Sequence, residues 1–341
     1  MLTFSFCVIF IVGVCGNLLV CSLFKNKVKV RSTEIENLIY YLAYVDLVAS
    51  IVNPVVWTYW TVTHHKVWHF GQIGCKILPS LTRILVSVSM GIISLITVDR
   101  YYVICRPYEE RIARWKIKVA LVLVVVFSVA IDIPYIFHQE VKPGRTCGVQ
   151  NVSLQSFIYP IIVCLISRDV AFAFMFCGTV YKIRGVLNDH QKKEAVKQLR
   201  KEKSLSRVTV MLTVMATIFM FLVFPRDVLH IVYFTSWLTP PGLPFNKTIL
   251  DVNSALKVLH MTNSVVNVFI YSRLHGKFRK RLRRKVSRML GRKIGRDSLD
   301  HINNKDGPDA VLSSSSHNGR MVDCQVLLTK EGNSRNRKAV V

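Results

Sequence analysis

The chain has 341 residues, 51% of them hydrophobic, yet it carries 46 Lys and Arg against 20 Asp and Glu, a formal net charge of +26. A mean hydropathy of +0.34 beside that charge is not the balance of a soluble basic protein. The charge needs no nucleic acid to explain it, because anionic membrane lipid and a cytoplasmic protein partner suffice.

Apolar runs cover about 3–24, 38–60, 77–98, 118–138, 157–181, 208–236 and 249–271. Each has the ~20 residues that a helix needs to cross a bilayer core. The expected architecture is an all-α membrane protein: a seven-transmembrane helix bundle over residues 1–290, closed by a short amphipathic eighth helix. A disordered cytoplasmic tail, 291–341, follows.

The first run begins almost at once with "MLTFSFCVIF", lacking a basic n-region and a small-residue cleavage site. No signal peptide is expected there; the expectation is that the sequence is incomplete at this end. Between the first two runs stand four Lys and Arg; residues 100–118 hold six, 182–207 nine and 273–296 twelve. The alternate loops hold two, two and one. The basic loops belong on the cytoplasmic side, which places the N-terminus outside, the C-terminus inside and the chain in the plasma membrane.

Cys75 and Cys147 both map to the outer face in this topology, where an oxidising compartment would let a disulfide tie the second outer loop to the third helix. The sequons at Asn151 and Asn246 also fall outside, as candidate glycosylation sites. None of the nine cysteines forms a C-x-x-C pair, so no zinc or redox motif is expected.

The fifth and sixth runs each hold an Arg-Asp pair where lipid-compatible residues are expected: "ISRDVAF" at 166–172 and "FPRDV" at 224–228. A charge at the centre of a membrane helix costs roughly 2.5–3.5 kcal/mol on insertion scales. Successive helical residues point about 100° apart, so neighbouring Arg and Asp side chains cannot both start in one direction. Two explanations stand open: an ion pair between the two helices, such as Asp169 with Arg226, or a site for a ligand carrying both charge signs. Beyond the seventh run, Leu274, Phe278, Leu282 and Val286 recur every four residues among Arg and Lys, as in a basic helix lying on the inner membrane surface. The tail is polar, and Ser313–Ser316 is a candidate phosphorylation run.

Ordered motifs on these runs resemble the rhodopsin-like (class A) G-protein-coupled receptors, and the Arg-Asp pairs at 168–169 and 226–227 suit a neuropeptide-type member among them. The motifs are "GNLLV" with Asn17, "LAYVDL" with Asp46, "WHFG" at 68–71, "TVDRYYVICRP" at 97–107, "NSVVNVFIY" at 263–271 and "GKFRKRL" after it. The resemblance implies that Asp99 holds Arg100 at rest beside Tyr101, that Arg100 then turns to a heterotrimeric G protein, and that Tyr181 and Tyr271 swing inward on activation. It implies an allosteric sodium site on Asp46, Ser89, Asn263, Ser264 and Asn267, whose oxygens suit a hard cation; a polar network without an ion is the alternative. No other cofactor is implied. The chain departs from the family pattern in several places. Val268 stands where Pro follows the seventh-helix Asn, Val223 replaces the Trp two residues before Pro225, and Ala173 stands at the fifth-helix Pro. Leu205 occupies the place of the acid that would lock Arg100 from the sixth helix, which implies some basal activity.

The same alignment puts Thr82, followed by Arg83, at the place of the amine-binding Asp, and Met261 at that of the retinal-binding Lys. Neither an amine nor a retinal linkage is implied. What remains in the outer half is a polar set: Thr82, Arg83, Arg168, Asp169, Arg226, Asp227, His230 and Lys257. The expected function is binding of an extracellular ligand, a neuropeptide first and a small acidic or lipid ligand second. A transporter or channel would explain the charges but would call for broken helices and paired half-repeats, which are not visible. An intramembrane enzyme would call for a His-Glu-x-x-His or Gly-x-Ser-x-Gly run, and the sequence has neither.

Overall fold

The computed structural model describes residues 2–25, 34–64, 66–106, 108–109, 112–149, 155–193, 199–239, 242–243 and 246–289. The side chains of residues 34, 187–193, 199–209 and 289 lie outside that description, as do Asn151 and the 291–341 tail. Residues Met1–Val286 form one compact unit; the other, Ser287–Val341, is described only as the last turn of a helix.

The long helices are α1 (Leu2–Phe24), α2 (Glu34–Val62), α3 (Gly71–Cys105) and α4 (Arg114–Ala130). After a short α5 (Ile133–His138) and a hairpin, β1 (Gln139–Lys142) and β2 (Thr146–Val149), come α6 (Gln155–Lys193), α7 (Leu199–Ser236), α8 (Lys247–Leu274) and α9 (Gly276–Met289). Among the described residues six helical stretches are long and apolar enough to cross a membrane; α8, with a polar first half, is the seventh helix of the bundle.

The burial pattern is that of a protein dissolved in lipid. Val122, Leu123, Val126 and Phe127 of α4 and Phe174 of α6 are exposed, while Asn17, Asp46, Asn53, Ser89, Asn263, Ser264 and Asn267 are buried between helices. Apolar side chains satisfy the hydrocarbon outside, and polar ones satisfy each other inside. An apolar core runs from Leu42 and Ile93 through Phe172 and Phe219 to Tyr271 and Phe278. At Gly91 a side chain would overlap Val124, so the close approach of α3 and α4 needs glycine.

The fourth apolar run, expected as one helix over 118–138, breaks at Ile131-Asp132 and resumes as α5. Pro134 sits in the first turn of α5, where its missing N–H costs nothing but from which it would clash with a continuing α4. The hairpin then folds back over α3. Cys147 lies opposite Val141 and is disulfide-bonded to Cys75, with 5.6 Å between the Cα atoms. Gln72 fastens the same place: its Nε2 donates to the Gln139 carbonyl at 3.2 Å, and the Val141 N–H donates to its Oε1 at 2.9 Å. This is the disulfide end of the bundle. Arg100, 25 residues along α3, lies about 37 Å of helix away at the other end.

The stripe on α9 does not behave as one surface. Phe278 is buried against Phe24 and Tyr271, and Leu282 is partly buried, but Val286 is exposed. Lys277 Nζ and Arg281 Nη2 bond the buried Glu36 of α2 at 3.0 and 2.7 Å. The first two turns of α9 therefore pack on the bundle rather than resting on lipid alone.

Candidate functional site: a charged cluster within the helix bundle

Arg168 of α6 organises the centre of the site. Its Nη2 reaches Asp227 of α7 at 2.5 Å and Asp169 at 2.8 Å, and its Nε donates to the same Asp169 oxygen at 2.9 Å. Nη1 donates to Ser87 Oγ of α3 at 3.3 Å. One guanidinium thus serves two carboxylates and a hydroxyl on three helices. The expected pair of Asp169 with Arg226 does not form; the contact uses the other member of each dipeptide. The reason is rotation: Asp227 faces α6, and Arg226, about 100° round α7, faces α2 and α8. The 100° argument fails within the dipeptide, because the long Arg168 side chain curls back onto its neighbour Asp169.

Arg83 of α3 has its own partner. Its Nε bonds Asp132 at 2.7 Å, and its guanidinium lies 4.5 Å from the Tyr135 ring centre. Sequence reasoning missed Asp132 and Tyr135. A lone acid just before a Pro in an apolar run, "AIDIP", was the available signal. Thr82 is buried, and its hydroxyl donates to the Pro79 carbonyl at 2.7 Å, so it adds no free polar group to the cluster.

The remaining cations gather on Trp57 of α2, which was also missed. The Arg226 guanidinium lies 5.1 Å and Lys257 Nζ 4.2 Å from its ring centre. Arg226 Nη1 donates to His260 Nδ1 at 3.1 Å, while Arg226 Nε and His230 Nδ1 are buried without a partner. Among the described residues neither Arg226 nor Lys257 makes an ion pair.

Towards the middle of the bundle, Asp46 accepts from Ser89 Oγ at 2.9 Å and Asn267 Nδ2 at 2.8 Å. Ser264 belongs to an adjoining group: its hydroxyl accepts from Ser50 Oγ at 3.1 Å and donates to the Met261 carbonyl at 3.0 Å, and its carbonyl accepts from Asn17 at 2.8 Å. Asn263 is buried one position earlier on α8. The candidate sodium ligands thus divide into an Asp46–Ser89–Asn267 set and a Ser264–Ser50–Asn17 set. A carboxylate and a hydroxyl side by side fit a hard monovalent cation in donor chemistry, although Asn267 turns its nitrogen to Asp46.

At the far end Arg100 bonds Asp99, through Nε at 3.0 Å and through Nη2 to the same oxygen. Tyr101 stacks edge-on with Tyr102, and Lys182 lies 5.7 Å from its ring centre. Tyr181 is exposed, whereas Tyr271 is fully buried with its hydroxyl unpartnered, so the two tyrosines are not brought together here. Pro225 lies inside α7 immediately before the Arg226-Asp227 pair. Lacking an N–H, it cannot donate to the carbonyl one turn back. Leu205 lies outside the described side chains. Asn246 caps α8, its Oδ1 accepting from the Ile249 N–H at 2.9 Å.

A seven-helix bundle, an Asp-Arg pair at one end and a disulfide-tied hairpin with a charged cluster at the other define a membrane receptor of the rhodopsin type. The chain belongs to the 7 transmembrane receptor (rhodopsin family), which it matches over residues 16–271. Members of this family are receptors rather than enzymes, and the chain is a multi-pass plasma-membrane protein. It is 24% identical over 298 residues to the Gq-coupled rhodopsin of Mizuhopecten yessoensis, covering 79% of this chain and 56% of that one. It is 23% identical to growth hormone secretagogue receptor type 1 of Mustela putorius furo and of Mus musculus, in each case over 80% of this chain and 76% of theirs. The chain therefore spans little more than half the length of the first of these relatives. The crystal structure of squid rhodopsin shares the fold, with a TM-score of 0.68 at 20% identity, over 92% of this chain and 91% of that one.

Proposed function

We propose that this receptor binds an extracellular neuropeptide at the charged cluster and activates heterotrimeric G proteins. The observation that carries the proposal is the bonding of Arg168 to Asp227 across α6 and α7. Both signs of charge stand between two helices, and a ligand presenting both signs competes for the same partners. Exchange of Arg168 between Asp227 and the ligand changes how α6 and α7 are held together. A ligand shifts a conformational equilibrium only through such a difference between states. Arg100 is held by Asp99 at rest and is freed towards the G protein.

In this proposal the disulfide end faces outward and the basic Arg100 end faces the cytoplasm, in keeping with the Lys and Arg content of the loops. Asn246 and Asn151 carry glycans; at Asn246 the helix cap uses the side-chain oxygen and not the nitrogen that a glycan would take. A sodium ion, when bound, is held by Asp46 with Ser89 and supplies a charge that stabilises the resting bundle. Asn263, Ser264 and Asn267 line the same region. Arrestin recognises the phosphorylated tail, and the basic α9 surface contacts anionic lipid.

A second reading, a small acidic or lipid ligand, is favoured by the two cations on Trp57 that lack a carboxylate. The test is a screen of peptides and acidic metabolites on cells expressing the full chain with a promiscuous G protein. A peptide hit supports the first reading, and hits confined to small acids replace it with the second.

A further inference from the structure

The cluster at the disulfide end is not evenly neutralised. Asp132 is taken by Arg83, and Asp169 and Asp227 are both taken by Arg168. Arg226 and Lys257 are left to share the Trp57 indole, where two like charges repel each other. Arg226 is 5% exposed, and its Nε has no partner. A buried guanidinium with an unmet donor is costly, and a tryptophan ring compensates only in part. His260 binds only one Nη1 hydrogen and carries no negative charge in doing so. Lys257, Trp57 and His230 are each partly exposed, so the group is reachable from outside the core.

We infer that Arg226, Lys257 and Trp57 form a carboxylate subsite: the acid group of the ligand accepts from Arg226 Nε and pairs with Lys257, while its apolar neighbour lies on the Trp57 indole. An arginine edge presents parallel donors matched to a carboxylate, and the ammonium adds a point charge. His230, whose Nδ1 is also buried and unpartnered, closes the site. The Arg168–Asp227 pair is a separate element of the cluster, and anion capture at this subsite does not require its exchange. This inference rests on the ligand-receptor reading for its biological meaning, but its chemistry can be tested without knowing the ligand.

The test uses the purified full chain in nanodiscs of phosphatidylcholine, with thermal unfolding followed at constant ionic strength. The probes are N-acetyl-glycyl-leucine, its C-terminal amide, and butyrate. The free acid raises the unfolding midpoint saturably, with an affinity at least about tenfold above the amide, as a charged hydrogen bond provides. Lys257→Met and Arg226→Gln each abolish the acid-specific rise. Lys257→Met keeps a midpoint at or above the parent, because it removes an unpaired charge, so loss of binding there is not loss of folding. A stronger response to the acetyl-dipeptide than to butyrate marks a peptide terminus as the source, and the reverse order marks a small acid. Equal shifts by acid and amide, no shift by either acid, or an acid shift retained in both variants would overturn the subsite. If a peptide agonist emerges whose amide and acid are equipotent on parent and variants alike, the subsite falls while the peptide reading stands. If acids bind but no peptide activates, the subsite stands and the peptide reading falls.

Discussion

Arg168 of α6 and Asp227 of α7 meet at 2.5 Å with less than a tenth of either side chain exposed. The pair is unequal, because Arg168 also holds Asp169 whereas Asp227 has Arg168 alone among the described hydrogen-bonding residues. Removing Arg168 therefore strands two carboxylates, and removing Asp227 strands none. Breaking a buried pair costs about 3–5 kcal/mol when a charge is left uncompensated. Arg168→Gln is expected to lower the unfolding midpoint well below that of Asp227→Asn. The double variant should fall between them, because one stranded carboxylate is gone. Equal losses in the two single variants would contradict this asymmetry.

The break between α4 and α5 sets up the second pair. Asp132 reaches Arg83 only because the helix stops there and Pro134 restarts it. Asp132→Asn, which leaves Arg83 largely buried and unpaired, is expected to cost about 3 kcal/mol of stability. Arg83→Gln together with Asp132→Asn should recover most of that loss. Thermal unfolding of the three variants measures the coupling.

His275, between α8 and α9, gives a pH dependence with a definite sign. It is buried, and its Nδ1 accepts from the Phe278 N–H at 3.1 Å, so the neutral ring is the form that caps α9. Burial pushes its pKa down to about 4, against a raising influence from Glu36. The unfolded chain, with an ordinary histidine near 6.5, takes up the proton first as the pH falls. This contribution to stability is complete above about pH 6.5 and is lost between there and pH 4, at up to about 1.4 kcal/mol per pH unit. Unfolding midpoints measured from pH 7.5 to 4.5 should fall for the parent and fall less steeply for His275→Phe. Parallel profiles would refute the assignment.

Glu36 is the point where α9 is fastened to α2, and its two partners differ. The Lys277 side chain is 61% exposed and that of Arg281 is 20% exposed, so water screens the first pair much more than the second. Hydrogen exchange across residues 276–286 is expected to rise most in Glu36→Gln, nearly as much in Arg281→Gln and little in Lys277→Gln.

Much of this was legible in the sequence, for identifiable reasons. Span length and Lys/Arg asymmetry are one-dimensional properties, so the seven helices and the expected disposition of the loops could be read directly. Cys75 and Cys147 could be paired because topology left them on one face. The Arg168–Asp227 partnership could not, because it depends on how α6 and α7 are rotated, and one residue of register exchanges the partners. Asp132 and Trp57 escaped because each is a lone residue whose role appears only when another helix is placed against it. Glu36 escaped because an acid in the first turn of a helix is usually solvated. The α9 stripe was visible as a period of four, but periodicity does not say whether lipid or protein covers it, and Phe278 and Val286 differ on that point.

The most direct test of the receptor account is agonist response in cells expressing the full chain with a promiscuous G protein, comparing the parent with Arg226→Gln and Arg168→Gln at matched surface expression. The account predicts that a ligand found on the parent loses at least about tenfold in potency on each variant, as expected when a charged contact is removed. Unchanged potency on both would contradict the placement of the ligand at this cluster.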